Sequence, residues 1–320
     1  MTTPTTETSL YWAVQRKRLV GVRTLFIVVA GFALTYGVLF PGLFTPSGFA
    51  KFTQSWFPLA LATMAQAILM LTGGISLAIG AIVSLGAVIA ATLMVGPLGA
   101  PGAAAVVIIA GLAIGTVIGL IVVRLGLPAI VVTLAGSFII AGAALLVLPR
   151  PGGDVPAWFS NLLAGNTPTA FVLLVLVALG WKLYLKTPLG LSLYAGGENP
   201  VGAWRSGVPV DAALIAAYAI SGALSALAGL FVAAQMGSGD PLIGTGFTLN
   251  SIAAAVLGGI GFLGGRGTMR GALAGSLLLS LLISVMFFLG FPPVAQYVAQ
   301  GLIIIGAVAL PQFNFRRRRP

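Results

Sequence analysis

The sequence predicts an all-α, polytopic membrane protein with about ten transmembrane helices and with its amino and carboxyl termini in the cytoplasm. Of its 320 residues, 59% are hydrophobic and only 7% are charged, whereas about 25% of the residues of a soluble domain are charged. Apolar runs follow one another along the chain, and about 20 apolar residues are enough to cross the hydrocarbon core of a bilayer. The basic residues alternate with these runs in a way that indicates the topology.

Ten apolar runs, bounded by glycine, proline or charged residues, predict the spans. The run near 248–262 is too short to cross comfortably unless it continues into the glycine-rich residues after it, so a partial or re-entrant helix is an alternative. The first run has no small-residue cleavage site and is read as an uncleaved span. The spans lie near 24–44, 56–74, 76–95, 102–123, 127–148, 168–185, 211–235, 248–262, 270–290 and 293–311.

Three regions follow from this map. A polar cytoplasmic segment, 1–23, precedes a transmembrane domain, 24–311, and a basic cytoplasmic tail, 312–320, ends the chain. The predicted outer loops, near 45–55, 149–167 and 236–247, carry Pro, Gly and Ser and few charges, and the longest predicted inner loop is about 186–210.

The distribution of lysine and arginine tests the map, because short loops rich in these residues stay on the cytoplasmic side. With the amino terminus inside, only Lys51 and Arg150 of the 16 basic residues fall outside. Removing one span before Arg124 would move every basic residue from Arg124 onward except Arg150 to the outside, so the even number of spans is better supported than any single boundary. The inside residues are Arg16, Lys17, Arg18, Arg23, Arg124, Lys182, Lys186, Arg205, Arg266, Arg270 and 316–319.

The composition disfavours several kinds of chemistry. The chain has no Cys and no His, which removes disulfides, thiolate and imidazole catalysis and the usual zinc ligands. No lysine follows a glycine, so there is no phosphate-binding loop ending in Gly-Lys-Ser or Gly-Lys-Thr. We therefore predict no catalytic residue and no metal site, and ATP would have to bind another subunit. The net charge of +11 is attributed to topology and not to a nucleic-acid partner, because the basic residues form no patterned face.

Ion-coupled transport is also disfavoured, because ionisable residues inside spans are the usual sign of a proton or sodium path. Here the acidic residues Asp154, Glu198, Asp211 and Asp240 fall in or beside predicted loops. A stand-alone secondary carrier stays an alternative on this evidence, and a membrane enzyme lacks the required cluster of acid, base or metal-binding groups.

The predicted inner loop contains a candidate docking element. Residues 196–208 read as a short helix between glycine breaks, with Asn199 as its N-cap and Pro200 at its first position. Val201 and Trp204 on such a helix would fit a groove on a soluble partner. An amphipathic connector on the bilayer surface is an equally good interpretation from spacing alone. The candidate contact residues are Glu198, Asn199, Pro200, Val201, Trp204, Arg205, Ser206 and Gly207.

Two glycine-rich stretches, 71–80 and 258–268, interrupt apolar runs. A helix broken within the membrane frees backbone polar groups, and such breaks often mark solute sites in transporters. For the first stretch taken alone, a tight turn or close helix packing through small residues is the favoured interpretation. The embedded polar residues are neutral, which suits a neutral polar solute. The predicted translocation-pathway residues are Gln66, Thr72, Gly73, Gly74, Ser76, Asn250 and Ser251.

Three motifs together resemble the permease subunits of bacterial ATP-binding-cassette importers of the ribose/xylose/arabinose type. The motifs are Leu-Thr-Gly-Gly-Ile at 71–75, the stretch 194–208 and the glycine-rich run 258–268, and the resemblance covers about 56–310. It implies a permease for a monosaccharide in the bacterial inner membrane, acting as a homodimer or with a sister permease. It further implies a cytosolic ATP-binding subunit that holds ATP and Mg, an extracytoplasmic solute-binding protein, and a coupling helix at 196–208. The chain itself would hold no cofactor and would not be an enzyme.

The chain departs from the family motif at two positions. Where the family has Thr-Gly-Gly-Ile-Asp-Leu-Ser, Ser76 and Ala78 replace the aspartate and the serine. Solute choice or gating is therefore expected to differ, or a sister permease supplies the acidic group. Related permeases carry nucleosides or branched-chain amino acids. The residues 197–200 resemble the nucleoside branch, and the run near Arg266 resembles the sugar branch, which we weigh higher.

Overall fold

The computed structural model describes residues 27–38, 40–292, 294–296, 298–302 and 305. The predicted cytoplasmic segments 1–23 and 312–320 lie outside the described residues. The described part is a helical bundle, and the residues described between 294 and 302 are also helical. A 3-10 turn, Pro41–Phe44, joins the first two helices. The helices are α1 (Ile27–Val38), α2 (Pro46–Leu71), α3 (Ile79–Leu93), α4 (Gly99–Leu125), α5 (Ala129–Val147), α6 (Ala157–Ala164), α7 (Thr169–Tyr184), α8 (Pro188–Glu198), α9 (Pro200–Arg205), α10 (Val210–Met236), α11 (Thr245–Leu257) and α12 (Met269–Phe288).

Five of the described helices, α2, α4, α5, α10 and α12, are long and apolar enough to cross a membrane. Helices α6 and α7 pass the same test as a pair but meet at a bend of 68°, so six spans result if they count as one. Helices α1, α3 and α11 are apolar but shorter. The chain is therefore a polytopic α-helical membrane protein.

Helix α2 forms the centre of the bundle. In its most apolar 18-residue window 94% of the residues are buried, against 28% for α4 and 22% for α5. It packs against α3, α7, α10, α11 and α12. Helices α4 and α5 instead expose large apolar side chains, such as Ile109, Phe138 and Leu146. Such side chains suit lipid, because a membrane-facing surface has no need of polar groups.

A stripe of glycines holds α4 against α10. A Cβ on Gly222 would overlap the carbonyl oxygen of Gly111 and would lie 3.0 Å from the Cα atom of Gly115. A Cβ on Gly119 would lie 2.9 Å from the Cβ atom of Tyr218. Three glycines spaced four residues apart form one face of α4, and small residues at this spacing let two backbones approach closely. These glycines therefore allow the backbones of α4 and α10 to pack in direct contact.

Replacing Gly222 with alanine is expected to destabilise the bundle by about 1–3 kcal/mol, the usual cost of overpacking a filled interface. The measurement is the melting temperature of the purified protein in detergent, which should fall by several degrees. Gly142→Ala in α5 is the matched control, because among the described residues no heavy atom lies within 4 Å of its added Cβ. Equal melting temperatures for the two variants would contradict the role of the stripe.

Two predicted outer loops are wrong because they contain helices. Helix α2 begins ten residues before its predicted start at 56, since Pro46 occupies its first turn and Thr45 caps it. The Thr45 hydroxyl accepts a hydrogen bond from the backbone N–H of Gly48 at 3.1 Å. The side chain of Gln54 donates to the carbonyl of Gly165, so the polar residues that suggested a loop serve packing instead. Helix α6 likewise occupies part of the predicted loop 149–167.

The predicted inner loop and the short run at 248–262 also differ in detail. The inner loop contains two helices, α8 and α9, and not one. Gly196 and Gly197 lie inside α8 and are buried, so they are not breaks. A Cβ on Gly197 would overlap a backbone carbonyl oxygen, and a Cβ on Gly196 would meet the side chain of Val210. Helix α11 has 13 residues and ends at Leu257. At 1.5 Å per residue it is about 20 Å long, which is shorter than the hydrocarbon core, as predicted.

Candidate coupling and translocation site

Helix α2 ends in a turn that the local sequence encodes. Gly73 has a φ of 83°, a left-handed conformation that glycine adopts without steric cost. Its N–H donates to the carbonyl of Met70 at 3.0 Å, and the N–H of Gly74 donates to the carbonyl of Leu69 at 2.9 Å. These two bonds are those of a Schellman C-cap. The Thr72 hydroxyl also donates to the carbonyl of Leu69, at 2.7 Å. The Thr-Gly-Gly motif therefore terminates the helix, and its hydroxyl is bonded to that helix.

The irregular segment between α2 and α3 is held by a hydroxyl of α5. Thr133 is fully buried, and its Oγ1 accepts a hydrogen bond from the N–H of Leu77 at 3.1 Å. The same hydroxyl lies 3.4 Å from the carbonyl oxygen of Ile75 and 3.3 Å from that of Ile130. Ser76 is buried as well, and its hydroxyl accepts from the N–H of Ala78 at 3.3 Å. Side chains thus satisfy buried backbone groups that no helix pairs.

Replacing Thr133 with valine is expected to loosen this segment, because the near-isosteric side chain leaves the buried N–H of Leu77 without its acceptor. An unsatisfied buried donor costs about 1–3 kcal/mol. Hydrogen exchange followed by mass spectrometry should show faster exchange in the peptide that covers 72–78. The control is Thr116→Val, because the exposed Thr116 hydroxyl bonds only within its own helix, to the carbonyl of Leu112. Unchanged exchange at 72–78 in Thr133→Val would contradict the interpretation.

Helix α9 has the cap that the sequence predicts. The Asn199 side chain accepts a hydrogen bond from the N–H of Gly202 at 2.9 Å, and Pro200 occupies the first turn. The exposed fractions of Val201 and Trp204 are 60% and 67%. All eight residues of the predicted contact set are exposed, so the surface that a partner would need is free in this chain.

Helix α8 anchors α9 to the bundle. It packs against α10 and α2, and its Leu193 is buried. Desolvation by burial raises the pKa of the neighbouring Tyr194. The element is therefore firmly attached on one side and exposed on the other.

Three glycine-containing motifs meet where α2 ends. The N–H of Gly265 donates to the carbonyl of Leu71 at 2.8 Å. A Cβ on Gly197 would overlap that same carbonyl oxygen. A Cβ on Gly264 would lie 2.7 Å from the carbonyl oxygen of Gly197 and 2.8 Å from the backbone nitrogen of Gly73. We call this contact of α8, α2 and the glycine-rich loop before α12 the glycine junction.

The glycine junction is a contact of backbones, and this has a mechanical consequence. Side chains absorb small displacements by changing rotamer, whereas close-packed backbones transmit them. A movement of α9 and α8 would therefore press directly on the end of the central helix α2 and on the loop before α12, without a flexible side chain in between.

Helices α3 and α11 are tied together near their amino ends. The N–H of Gly80 donates to the hydroxyl of Thr248 at 3.1 Å, and the N–H of Gly244 donates to the hydroxyl of Ser84 at 2.9 Å. A Cβ on either glycine would overlap the carbonyl oxygen of the other. Discontinuous helices whose ends meet are a recurrent feature of transporter interiors.

The predicted pathway residues do not form one continuous lining. Thr72, Gly73 and Gly74 build the end of α2, and Ser76 lies in the segment held by α5. Gln66 is fully buried within α2, and neither polar atom of its side chain has a hydrogen-bond partner among the described residues.

The remaining two predicted residues lie on α11. Ser251 is buried and donates to the carbonyl of Thr248 at 2.9 Å, so its hydroxyl is bonded to its own helix. Asn250 lines a cavity of about 410 Å³ between α2, α11 and α12. Of the predicted set, Asn250 is the residue that borders this space.

Sequence reasoning missed the hydroxyls of Thr133 and Ser84, which bind backbone groups of other helices. It also missed Ser280 of α12, which lines the same cavity as Asn250. A hydroxyl in an apolar run usually bonds within its own helix, as Thr63 does with the carbonyl of Leu59 at 2.7 Å. The sequence carries no signal that distinguishes these two situations.

The family described as the branched-chain amino acid transport system permease component matches residues 48–308. The chain belongs to this family. It is the membrane-spanning permease subunit of an ATP-binding-cassette importer, as the three motifs predict, and thus a transport subunit and not an enzyme. The matched residues include the whole bundle from α3 to α12, with the glycine junction and the α8–α9 element.

The similarity of this permease to curated relatives extends over most of the chain. It is 29% identical to the ribose import permease protein of Escherichia coli (strain K12), over 96% of this chain and 98% of the relative. It is 33% identical to the galactose/methyl galactoside import permease protein of the same strain, over 83% of this chain and 86% of the relative. It is 33% identical to the autoinducer 2 import system permease protein of Escherichia coli O157:H7, over 82% of this chain and 80% of the relative. No solved structure matches the chain.

Proposed function

We propose that this permease imports a neutral monosaccharide across the bacterial inner membrane. The similarity to the ribose and galactose import permeases, over at least 83% of this chain, carries the proposal. The polar side chains that line the cavity beside Asn250 are neutral except for Asp240, and this lining is compatible with such a solute. The alternatives, a nucleoside or branched-chain amino acid permease and a stand-alone secondary carrier, have less support, because the relatives above are named for sugars and for autoinducer 2.

In the proposed topology, ten spans cross the membrane and both termini are cytoplasmic. The described basic residues support it, because Arg124, Lys182, Arg205 and Arg270 lie in the last or first turns of helices at the end of the bundle that holds the glycine junction. Positive charge at one end indicates the cytoplasmic side. The α8–α9 element is then cytoplasmic, and the loop between α10 and α11 is extracytoplasmic.

In the proposed assembly, the α8–α9 element docks on a cytosolic ATP-binding subunit, which binds ATP and Mg. Two permease copies, or this chain and a sister permease, would share one pair of such subunits, and an extracytoplasmic binding protein would deliver the solute. Closure of the ATP-binding subunits would move α9, and the glycine junction would carry that movement to α2 and α12. This is a coupling between two distant sites through a contiguous set of contacts.

The test begins with co-purification of the tagged chain from its native membrane in mild detergent, with mass spectrometry of bound proteins. An ATP-binding subunit is expected among them. The purified assembly is then reconstituted with its binding protein and assayed for ATP-driven uptake of D-ribose and D-galactose. A chain that purifies alone and moves solute down an ion gradient would overturn the proposal in favour of a secondary carrier.

A further inference from the structure

The cavity beside Asn250 lies toward the end of the bundle away from the glycine junction, between the amino-terminal halves of α2 and α11 and the carboxyl-terminal half of α12. Its walls are α2, α11, α12 and the loop that precedes α11, and its volume is about 410 Å³. Asp240 in that loop lines it, directly after Gly239, which pairs with Gly152 where α3, α5 and α10 end. In the proposed topology this end faces the extracytoplasmic side, from which the solute arrives.

Most of the polar side chains of this cavity are not used by the fold. Five polar side chains besides Asp240 line it: Ser55, Thr245, Asn250, Ser280 and Ser284. The Ser55 hydroxyl donates to the carbonyl of Phe52 at 2.8 Å. The other four make no hydrogen bond to any described residue, although Ser280 is only 6% exposed. Of these four, Ser280 is buried, Asn250 and Ser284 are partly buried and Thr245 is exposed, so all four keep hydrogen-bonding capacity for water or a ligand in the cavity.

The walls are held at a fixed separation. One turn before Ser280, the hydroxyl of Ser276 accepts a hydrogen bond from the indole N–H of Trp56 at 2.9 Å, which joins α12 to α2. One oxygen of the Asp240 carboxylate accepts from the backbone N–H of Leu242 at 2.8 Å, which orients the carboxylate. A preformed site loses little freedom when a ligand enters.

We infer that this cavity is a solute-binding site of the permease, and that it takes one ring of a neutral, polyhydroxylated solute. The inference rests on the proposed function and adds the residues that hold the solute. The hydroxyls of Thr245, Ser280 and Ser284 and the amide of Asn250 both donate and accept hydrogen bonds, as sugar hydroxyls do. The Asp240 carboxylate accepts from a sugar hydroxyl and repels a phosphorylated sugar. Phe247 supplies an apolar wall for the C–H face of the ring.

The absence of native cysteine allows a direct test. Ser280→Cys is introduced into the assembled importer, and intact spheroplasts depleted of ATP are treated with a charged, membrane-impermeant methanethiosulfonate reagent. We expect the reagent to label the Ser280→Cys variant. Millimolar D-ribose or D-galactose, whichever sugar the importer accumulates, should slow this labelling at least about threefold. Threefold slowing corresponds to two-thirds occupancy of the site. Glucose 6-phosphate should not protect. Ser284→Cys is a second reporter in case the first variant does not assemble.

Ser225→Cys is the matched control, because Ser225 is fully buried in α10 and donates to the carbonyl of Ser221 at 2.8 Å; it should stay unlabelled. The inference is overturned if neither Ser280→Cys nor Ser284→Cys is labelled. It is also overturned if the transported sugar does not slow the labelling. In those cases the measured uptake of the sugar is unaffected, so the proposed function remains valid. If neither sugar is accumulated, the proposed solute is wrong and this inference falls with it.

Discussion

Gly197→Ala is expected to reduce ATP-driven uptake at least about tenfold while the permease still inserts into the membrane. The added Cβ would overlap the carbonyl oxygen of Leu71 and would lie 2.8 Å from the backbone nitrogen of Gly265. It would therefore wedge apart the two groups whose hydrogen bond closes the glycine junction at 2.8 Å. Overpacking of this kind costs about 1–3 kcal/mol, and about 1.4 kcal/mol changes an equilibrium tenfold. The ATPase rate of the assembly should also lose its response to the solute-binding protein.

The matched control for this variant is the preceding residue, because Gly196→Ala changes the same helix by the same methyl group. Its Cβ would lie 3.0 Å from a methyl group of Val210, a side-chain contact that can adjust. Uptake, ATPase rate and membrane content are measured for both variants in parallel. Uptake that falls equally in the two would mean that α8 tolerates no added volume anywhere, and the specific role of the junction would be wrong.

Trp204→Ala is expected to uncouple ATP hydrolysis from transport and to remove the ATP-binding subunit from the purified assembly. Trp204 exposes 67% of its surface on a helix that is otherwise anchored, and with Val201 and Asp211 it lines a shallow pocket of about 240 Å³. A tryptophan at the centre of an interface typically contributes about 2–4 kcal/mol, which corresponds to about 30-fold to 1000-fold in affinity. A smaller effect in the same direction is expected for Arg205→Ala.

Leu191→Ala provides the comparison, since Leu191 on α8 is an apolar side chain of nearly equal exposure, 66%. Its substitution should leave the assembly intact if docking is specific to α9. The measurement is the ratio of ATP-binding subunit to permease after purification, together with uptake and the level of permease in the membrane. Full uptake in both Trp204→Ala and Arg205→Ala would show that the α8–α9 element is only a connector.

The docking element illustrates which parts of a site are readable from a sequence. The cap of α9 was predictable because an Asn N-cap and a Pro in the first turn act within three residues of one another. The sequence suggests breaks at Gly196 and Gly197, because glycine lowers helix propensity and the sequence does not reveal what packs beside them. The packing role of Gly197 depends on Leu71 and Gly265, which are distant in the chain.

The pathway prediction shows the same limit in another form. Asn250, Ser251 and Gln66 are all neutral polar residues within apolar runs, and nothing in their neighbourhoods separates them. In the structure one borders a cavity, one bonds to its own helix, and one is buried without a described partner. The direction in which each side chain points is set by how α2, α11 and α12 pack, and a shift of one residue along a helix turns a side chain by about 100°.

The sequence by itself determined that this is a helical membrane protein. It also determined the caps that begin and end individual helices and the family to which the chain belongs. These features are local, because hydropathy sums over about 20 residues and a cap acts within one turn. Only the tertiary structure decided that α2 is the centre although its apolar window is the least hydrophobic of the five, because lipid-facing helices carry the more apolar surfaces. It also decided that three glycine motifs form one junction and that four unpaired polar side chains surround one cavity, since these are contacts between residues that the chain keeps far apart.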